Sequence, residues 1–186
     1  MENKTRCAWC EKDDLYRDYH DNEWGNPVYD DDTLFEFLVL ETFQAGLSWY
    51  TILKKRANFK NAFDQFDYKK VAQYNEDKVQ ELLQNAGIIR NQLKIRGTIS
   101  NAIAFMKVQE EFGSFSKYIW GFTGGKPIEN NVKKRSDVKA TTPLSDEISK
   151  DLKKRGFKFV GSTVVYAHMQ ATGMVNDHVE DCWKRK

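Results

Sequence analysis

The segment "DDDTLFEFLVLETFQAG", residues 30–46, restricts the possible folds more than any other part of the chain. Three aspartates open it and Gly46 closes it, as the dipole and the C-terminal geometry of a helix favour. Between them the helix is apolar nearly all round, so it has to be enclosed on every side rather than laid on a surface. Leu34, Phe37, Leu38, Glu41 and Ala45 recur along one stripe at spacings of three and four. Glu41 therefore points where a leucine would be expected. A buried carboxylate costs on the order of several kcal/mol unless it is paired or hydrogen-bonded. It answers a buried Arg or Lys, or it faces a pocket, and the stripe alone leaves both open.

The elements that enclose this helix are also helical. Ser48 can cap "WYTILKKRANFKNAF", and Asn75 can cap "EDKVQELLQNA", which Gly87 stops. "NQLKIRGTISNAIAFMKVQEEFG" carries Leu93, Ile99, Ile103 and Met106 at helical spacing. Ser145 can cap "DEISKDLKKRG", and "STVVYAHMQATG" closes on Gly173. Runs such as "FKFVG" do not form a strand series. Residues 123–143 are polar, with glycines, lysines and two prolines, and read as a long loop. A length of 186 residues suits one core. The expected fold class is all-α, a single helical domain over residues 1–186.

No apolar run reaches transmembrane length, and "MENKTRCAWCEKDD" lacks the apolar stretch of a secretory signal. A soluble cytoplasmic protein without membrane association is expected. Three cysteines argue against a disulfide framework. The net charge is only +2, but acids gather early and "KKR" recurs at 54–56 and 133–135, followed by "KKRGFK" at 153–158 and "KRK" at 184–186. This segregation fits one phosphate-facing side, although each cluster singly is more simply a solvated helix face.

His178 and Cys182 are four residues apart, one turn of a helix, and can reach one tetrahedral ion. The other end of the chain offers Cys7, Cys10 and His20, so a metal could clip the two termini together. Spacing leaves the choice between Cys10 and His20 open. Four protein ligands leave no open position, which makes the ion structural and excludes a zinc hydrolase.

Trp9, Tyr16, Tyr19, Trp49 and Tyr50 lie near these ligands or just past the central helix. A carboxylate ringed by aromatic faces suits a flat, hydrogen-bonding ligand such as a nucleobase. Leu47, between Gly46 and the Ser48 cap, reads first as a hydrophobic staple onto Ile52, and alternatively as a wedge into a base stack. The hairpin from about 76 to 108 turns at Gly87. Its second helix can offer free N–H groups to a phosphate, with Arg90, Lys94 and Arg96 beside them.

"YHDNEWG" at 19–25, "QAGLSW" at 44–49, "AGIIRN" at 86–91, "LKKRGFKFVG" at 152–161 and "GMVNDHVEDC" at 173–182 together resemble the bacterial 3-methyladenine DNA glycosylase I family, within the helix-hairpin-helix superfamily. The resemblance runs from Cys7 to Cys182. It implies a helix-hairpin-helix motif and one structural Zn2+ held by Cys7, His20, His178 and Cys182, joining segments 7–20 and 178–182. Cys10 is then outside the set. It implies a base pocket of Trp9, Tyr16, Tyr19, Glu41 and Trp49, with Glu41 recognising the base more than transferring protons. Leu47 becomes the intercalating leucine, and Gly87, Arg90 and Lys94 the DNA contacts. Where bifunctional members carry a lyase lysine stands Asn91. The superfamily's catalytic aspartate has no counterpart in the helix that runs into Glu110 and Glu111. The implied activity is monofunctional excision of 3-methyladenine by N-glycosidic hydrolysis, in base excision repair. The implied partners are double-stranded DNA containing alkylated bases and the free 3-methyladenine product, with the enzyme a monomer. A non-catalytic DNA-binding module is the competing class, and a carboxylate in the core argues against it.

Overall fold

The computed structural model describes residues 4–185. The central helix, α2 (Asp31–Gln44), has every residue from Leu34 to Phe43 buried. Asp30 caps it, accepting a hydrogen bond from the Thr33 N–H. Around it pack α3 (Trp49–Ala62), α6 (Gln92–Phe112), α7 (Phe115–Gly121) and α9 (Ser162–Ala171). α1 (Asp14–Asn22), α4 (Tyr68–Val71), α5 (Glu76–Gln84) and α8 (Pro143–Lys154) complete the helical set. No helix among the described residues is long and apolar enough to cross a membrane.

Local capping chemistry places most boundaries. Ser48, Asn75 and Asn91 each accept from the third amide of the helix that follows. α8 starts earlier than its apolar pattern suggests. Thr142 is the cap, Pro143 takes the first turn, and Ser145 reaches back to the Thr142 N–H at 2.8 Å as the partner of a capping box.

α6 buries a different face from the expected one. Ile95, Thr98, Ala102, Phe105 and Val108 are enclosed, whereas Leu93 is 69% exposed and Ile103 42%. The buried stripe contains threonine and alanine, because small side chains let neighbouring elements approach closely; apolar spacing alone favours the bulkier outer row.

The stretch 123–143 is not wholly irregular. Ile128–Glu129 (β1) pairs in parallel with Val175–Asn176 (β2), and Arg135–Asp137 forms one 3₁₀ turn. The segment after β2 is not helical either. His178 and Cys182 converge through a turn in which the Cys182 N–H donates to the Val179 carbonyl at 2.9 Å. Their four-residue spacing brings them together without a helix.

Candidate active site and metal centre

Two close approaches bring the chain ends together. Gly25 has φ +76°, and a Cβ there would lie 2.8 Å from His178 Nε2. Gly173 has φ +69°, and a Cβ would sit 2.4 Å from the Asn26 carbonyl carbon. Only glycine serves at both positions. The loop after α1 can therefore lie directly on the C-terminal segment.

At this junction Cys7, His20, His178 and Cys182 are all buried, with their donor atoms within 4.8 Å of one another. Cys182 Sγ lies 3.4 Å from His20 Nε2 and 3.5 Å from His178 Nδ1, and Cys7 Sγ lies 3.6 Å from His178 Nδ1. Donors around one tetrahedral ion, with bonds of roughly 2.0–2.3 Å, stand roughly 3.3–3.8 Å apart. The donor set thus fits a metal ion. The outer support also fits: His20 Nδ1 meets Asp21 Oδ1 at 2.8 Å, and His178 Nε2 meets the Trp24 carbonyl at 3.3 Å. Burial alone would raise the Asp21 carboxyl, but hydrogen bonds from Arg6, His20 and Trp183 outweigh it and hold the group well below the usual carboxylate range. Cys10 is buried outside the quartet, its thiol donating to the Cys7 carbonyl at 3.1 Å.

Beside this junction opens a cavity of about 410 Å³. Trp9, Tyr16, Tyr19, Glu41 and Trp49 all line it. The Tyr19 and Trp49 rings lie 5.4 Å apart, and those of Trp9 and Tyr16 4.9 Å. Tyr50 is turned elsewhere, its hydroxyl bonded to Asp13.

Glu41 is 3% exposed, and its Oε2 has no hydrogen-bond partner. The indole N–H of Trp49 is likewise unpartnered. Desolvation pushes the Glu41 carboxyl up to about 8. A buried donor and a buried acceptor, both unanswered and both on one cavity wall, require a ligand that carries matching polar groups on a flat body.

The hairpin elements are arranged differently from their expected roles. Lys94 is buried, and its ammonium donates to the Phe43 carbonyl at 2.9 Å and the Ala45 carbonyl at 2.6 Å. It closes the C-terminus of α2 and is not a surface cation available to phosphate. Arg96 pairs with Glu76 at 2.7 Å. Arg90 is exposed. The Gly87 N–H is taken by Asn85 Oδ1 at 2.8 Å, whereas the N–H groups of Ile89 and Arg90 have no acceptor among the described residues. Leu47 is 42% exposed at its turn and is not pinned down as a staple would be. Asn91 caps α6, and Glu111 pairs with Arg155 on the surface at 2.7 Å.

The model of the methyladenine glycosylase family matches residues 9–185. The chain belongs to the methyladenine glycosylase family. It is 49% identical over 177 residues to DNA-3-methyladenine glycosylase 1 of Escherichia coli (strain K12), covering 95% of each protein. Its fold is similar to a crystal structure of 3-methyladenine DNA glycosylase I, with a TM-score of 0.94 at 48% identity, covering 98% of this chain and 100% of that one. A Staphylococcus aureus 3-methyladenine DNA glycosylase I, solved for the structural basis of its 3-methyladenine recognition, matches with a TM-score of 0.94 at 37% identity, covering 97% and 96%.

In this methyladenine glycosylase the cavity has further walls that sequence reasoning missed. Trp24, Gln44, Gln170, Asp177 and Arg135 also line it. Trp24 and Asp177 stand inside "YHDNEWG" and "NDHVEDC", where the neighbouring histidines drew the attention. Arg135 ends the "KKR" cluster at 133–135, which carries no signal separating it from a solvated run.

Proposed function

We propose that this chain is a monofunctional DNA glycosylase that excises 3-methyladenine from alkylated DNA by hydrolysing the N-glycosidic bond, in base excision repair. One observation carries the reading: the unpaired carboxylate of Glu41 beside the unpaired indole N–H of Trp49, in an aromatic-walled cavity. Membership in the methyladenine glycosylase family supports it.

Methylation at N3 leaves the nucleotide cationic, so the base departs as a neutral molecule and little acid catalysis is required. What the enzyme supplies is extraction, recognition and orientation. Leu47 enters the base stack as the damaged nucleotide leaves it. The helix-hairpin-helix formed by α5, its turn and α6 grips the backbone through the free amides of Ile89 and Arg90, with Gly87 shaping the turn and the Arg90 side chain adding charge. Trp9, Tyr16, Tyr19 and Trp49 enclose the extruded base.

Glu41 accepts a hydrogen bond from the exocyclic amine and rejects purines with a keto group at that position. Its charge state adds a second filter. In the empty cavity desolvation favours the neutral acid. A cationic lesion restores the carboxylate, and a neutral adenine does not, so damaged and normal bases differ in Coulomb energy as well as shape. Water then attacks the sugar carbon.

The ion held by Cys7, His20, His178 and Cys182 is a single structural Zn2+, since two thiolates and two imidazoles in tetrahedral array suit that metal. It ties the terminal segments behind the base pocket. The enzyme acts on double-stranded DNA as a soluble cytoplasmic monomer and releases free 3-methyladenine.

The test is incubation of the purified protein with methylated duplex DNA, followed by identification of the released base. Release of 3-methyladenine, reduced at least tenfold by Glu41→Gln, is expected. Tight DNA binding with no released base would instead establish a non-catalytic module.

A further inference from the structure

The cavity of about 410 Å³ is larger than one purine base fills. Its mouth is partly built by a strap, residues 128–142, that contributes Arg135 and Lys139. Both side chains are exposed, and neither forms an ion pair among the described residues. The Arg135 charge opposes the rise that burial imposes on the Tyr16 phenol, so the guanidinium acts on the pocket itself.

Two free cations facing a pocket for a cationic base raise an electrostatic problem. By themselves they would repel the ligand. The conflict disappears if an anion lies between them and the base, and a flipped nucleotide carries one in its phosphate.

The strap is held firmly enough to present them. The Ile128 N–H donates to the Met174 carbonyl at 2.9 Å, and the Glu180 N–H donates to the Val132 carbonyl at 2.8 Å. The Asn130 amide donates to Asp177 Oδ1 at 2.7 Å, while Tyr166 and Gln170 donate to Oδ2 at 2.7 and 2.8 Å. The Lys134 N–H donates to Asp137 Oδ2 at 3.1 Å and fixes the turn that bears Arg135. The strap therefore hangs on the same C-terminal segment that supplies His178 and Cys182.

We infer that Arg135 and Lys139 clamp the phosphate backbone of the extruded nucleotide at the mouth of the base pocket, with Asn130 and Asp177 positioning the strap that carries them. This rests on the proposed glycosylase reading. It makes the C-terminal clip part of substrate binding, because the clip anchors the strap.

The experiment measures 3-methyladenine release from methylated duplex DNA, across salt concentrations, by the wild-type protein and by Arg135→Gln/Lys139→Gln. Free 3-methyladenine binding is measured in parallel by tryptophan fluorescence. Release by the wild type establishes the underlying reading independently. The double variant is expected to lose about tenfold or more in kcat/KM through KM, to bind free base within about twofold of wild type, and to show a log–log salt slope shallower by about 1.8, at about 0.9 per phosphate contact. Lys133→Gln/Lys134→Gln removes equal charge from the same strap outside the cavity and is expected to change KM less than threefold. An unchanged salt slope, an equal effect of the two double variants, or a proportionate loss of free-base binding would overturn the inference.

Discussion

Glu36 and Glu41 lie five residues apart on α2, both buried, and only one of them has a partner. Arg56 Nε meets Glu36 at 2.7 Å, with Lys60 at 3.5 Å, while Glu41 Oε2 has none. Both are glutamates in a nearly continuous apolar run. α3 presents its cations to the first, and the second opens onto the cavity.

The raised Glu41 carboxyl has consequences of opposite sign for activity and stability. Cationic substrate needs the carboxylate, so kcat/KM should rise with pH and level off above about 8. The folded state holds this proton more tightly than the unfolded one. The stability associated with it is complete below the ordinary value of 4.5 and is lost as pH rises towards about 8. Glu41→Gln should flatten the activity limb and melt progressively higher than wild type across that window, by up to about 1.4 kcal/mol per pH unit. Thermal melts that keep a constant gap at every pH would remove the desolvated carboxyl from the account.

Removing the ion should unfold the ends before the chemistry fails. Dialysis against a strong chelator, or Cys182→Ser, is expected to lower the melting temperature and to release one equivalent of metal. Asp21→Asn, which loosens His20 without deleting a ligand, should weaken metal affinity by about 10- to 100-fold. Metal content and a melting curve check all three. A Cys182→Ser protein that keeps its ion at full affinity would take that thiol out of the quartet.

Lys94 and Arg90 should separate cleanly. Lys94→Met leaves the Phe43 and Ala45 carbonyls without their charged donor and should destabilise the fold by about 1–3 kcal/mol. It should leave the salt dependence of DNA binding unchanged. Arg90→Gln should do the reverse, leaving the melting curve in place while the salt slope becomes shallower by about 1. Chemical denaturation together with DNA titrations at several salt concentrations distinguishes them.

Leu47→Ala should reduce excision from duplex DNA by at least tenfold while leaving the binding of free 3-methyladenine untouched. A wedge acts on the stack and not on the pocket. If both quantities fell together, the leucine would belong to the pocket wall and not to the stack.

The amino-acid sequence alone determined what depends on neighbours along the chain. Ser48, Asn75 and Asn91 cap the helices they precede, because capping is decided within four residues. The unbroken apolar run of α2 required a central position, since no surface could leave one of its faces exposed. The metal quartet and the aromatic pocket were recognisable through whole motifs, whereas spacing alone could not choose His20 over Cys10. Tertiary structure decided the rest. Lys94 turned inward because the end of α2 presents two carbonyls to it, and α6 buried its smaller-residue face because neighbouring elements approach closely there. Arg135 became a pocket residue because Asp177, far along the chain, holds the strap in place. Charge and hydropathy are properties of single residues, but which carboxylate is paired and which cation is free depends on distances across the fold, and those are set only when the helices pack.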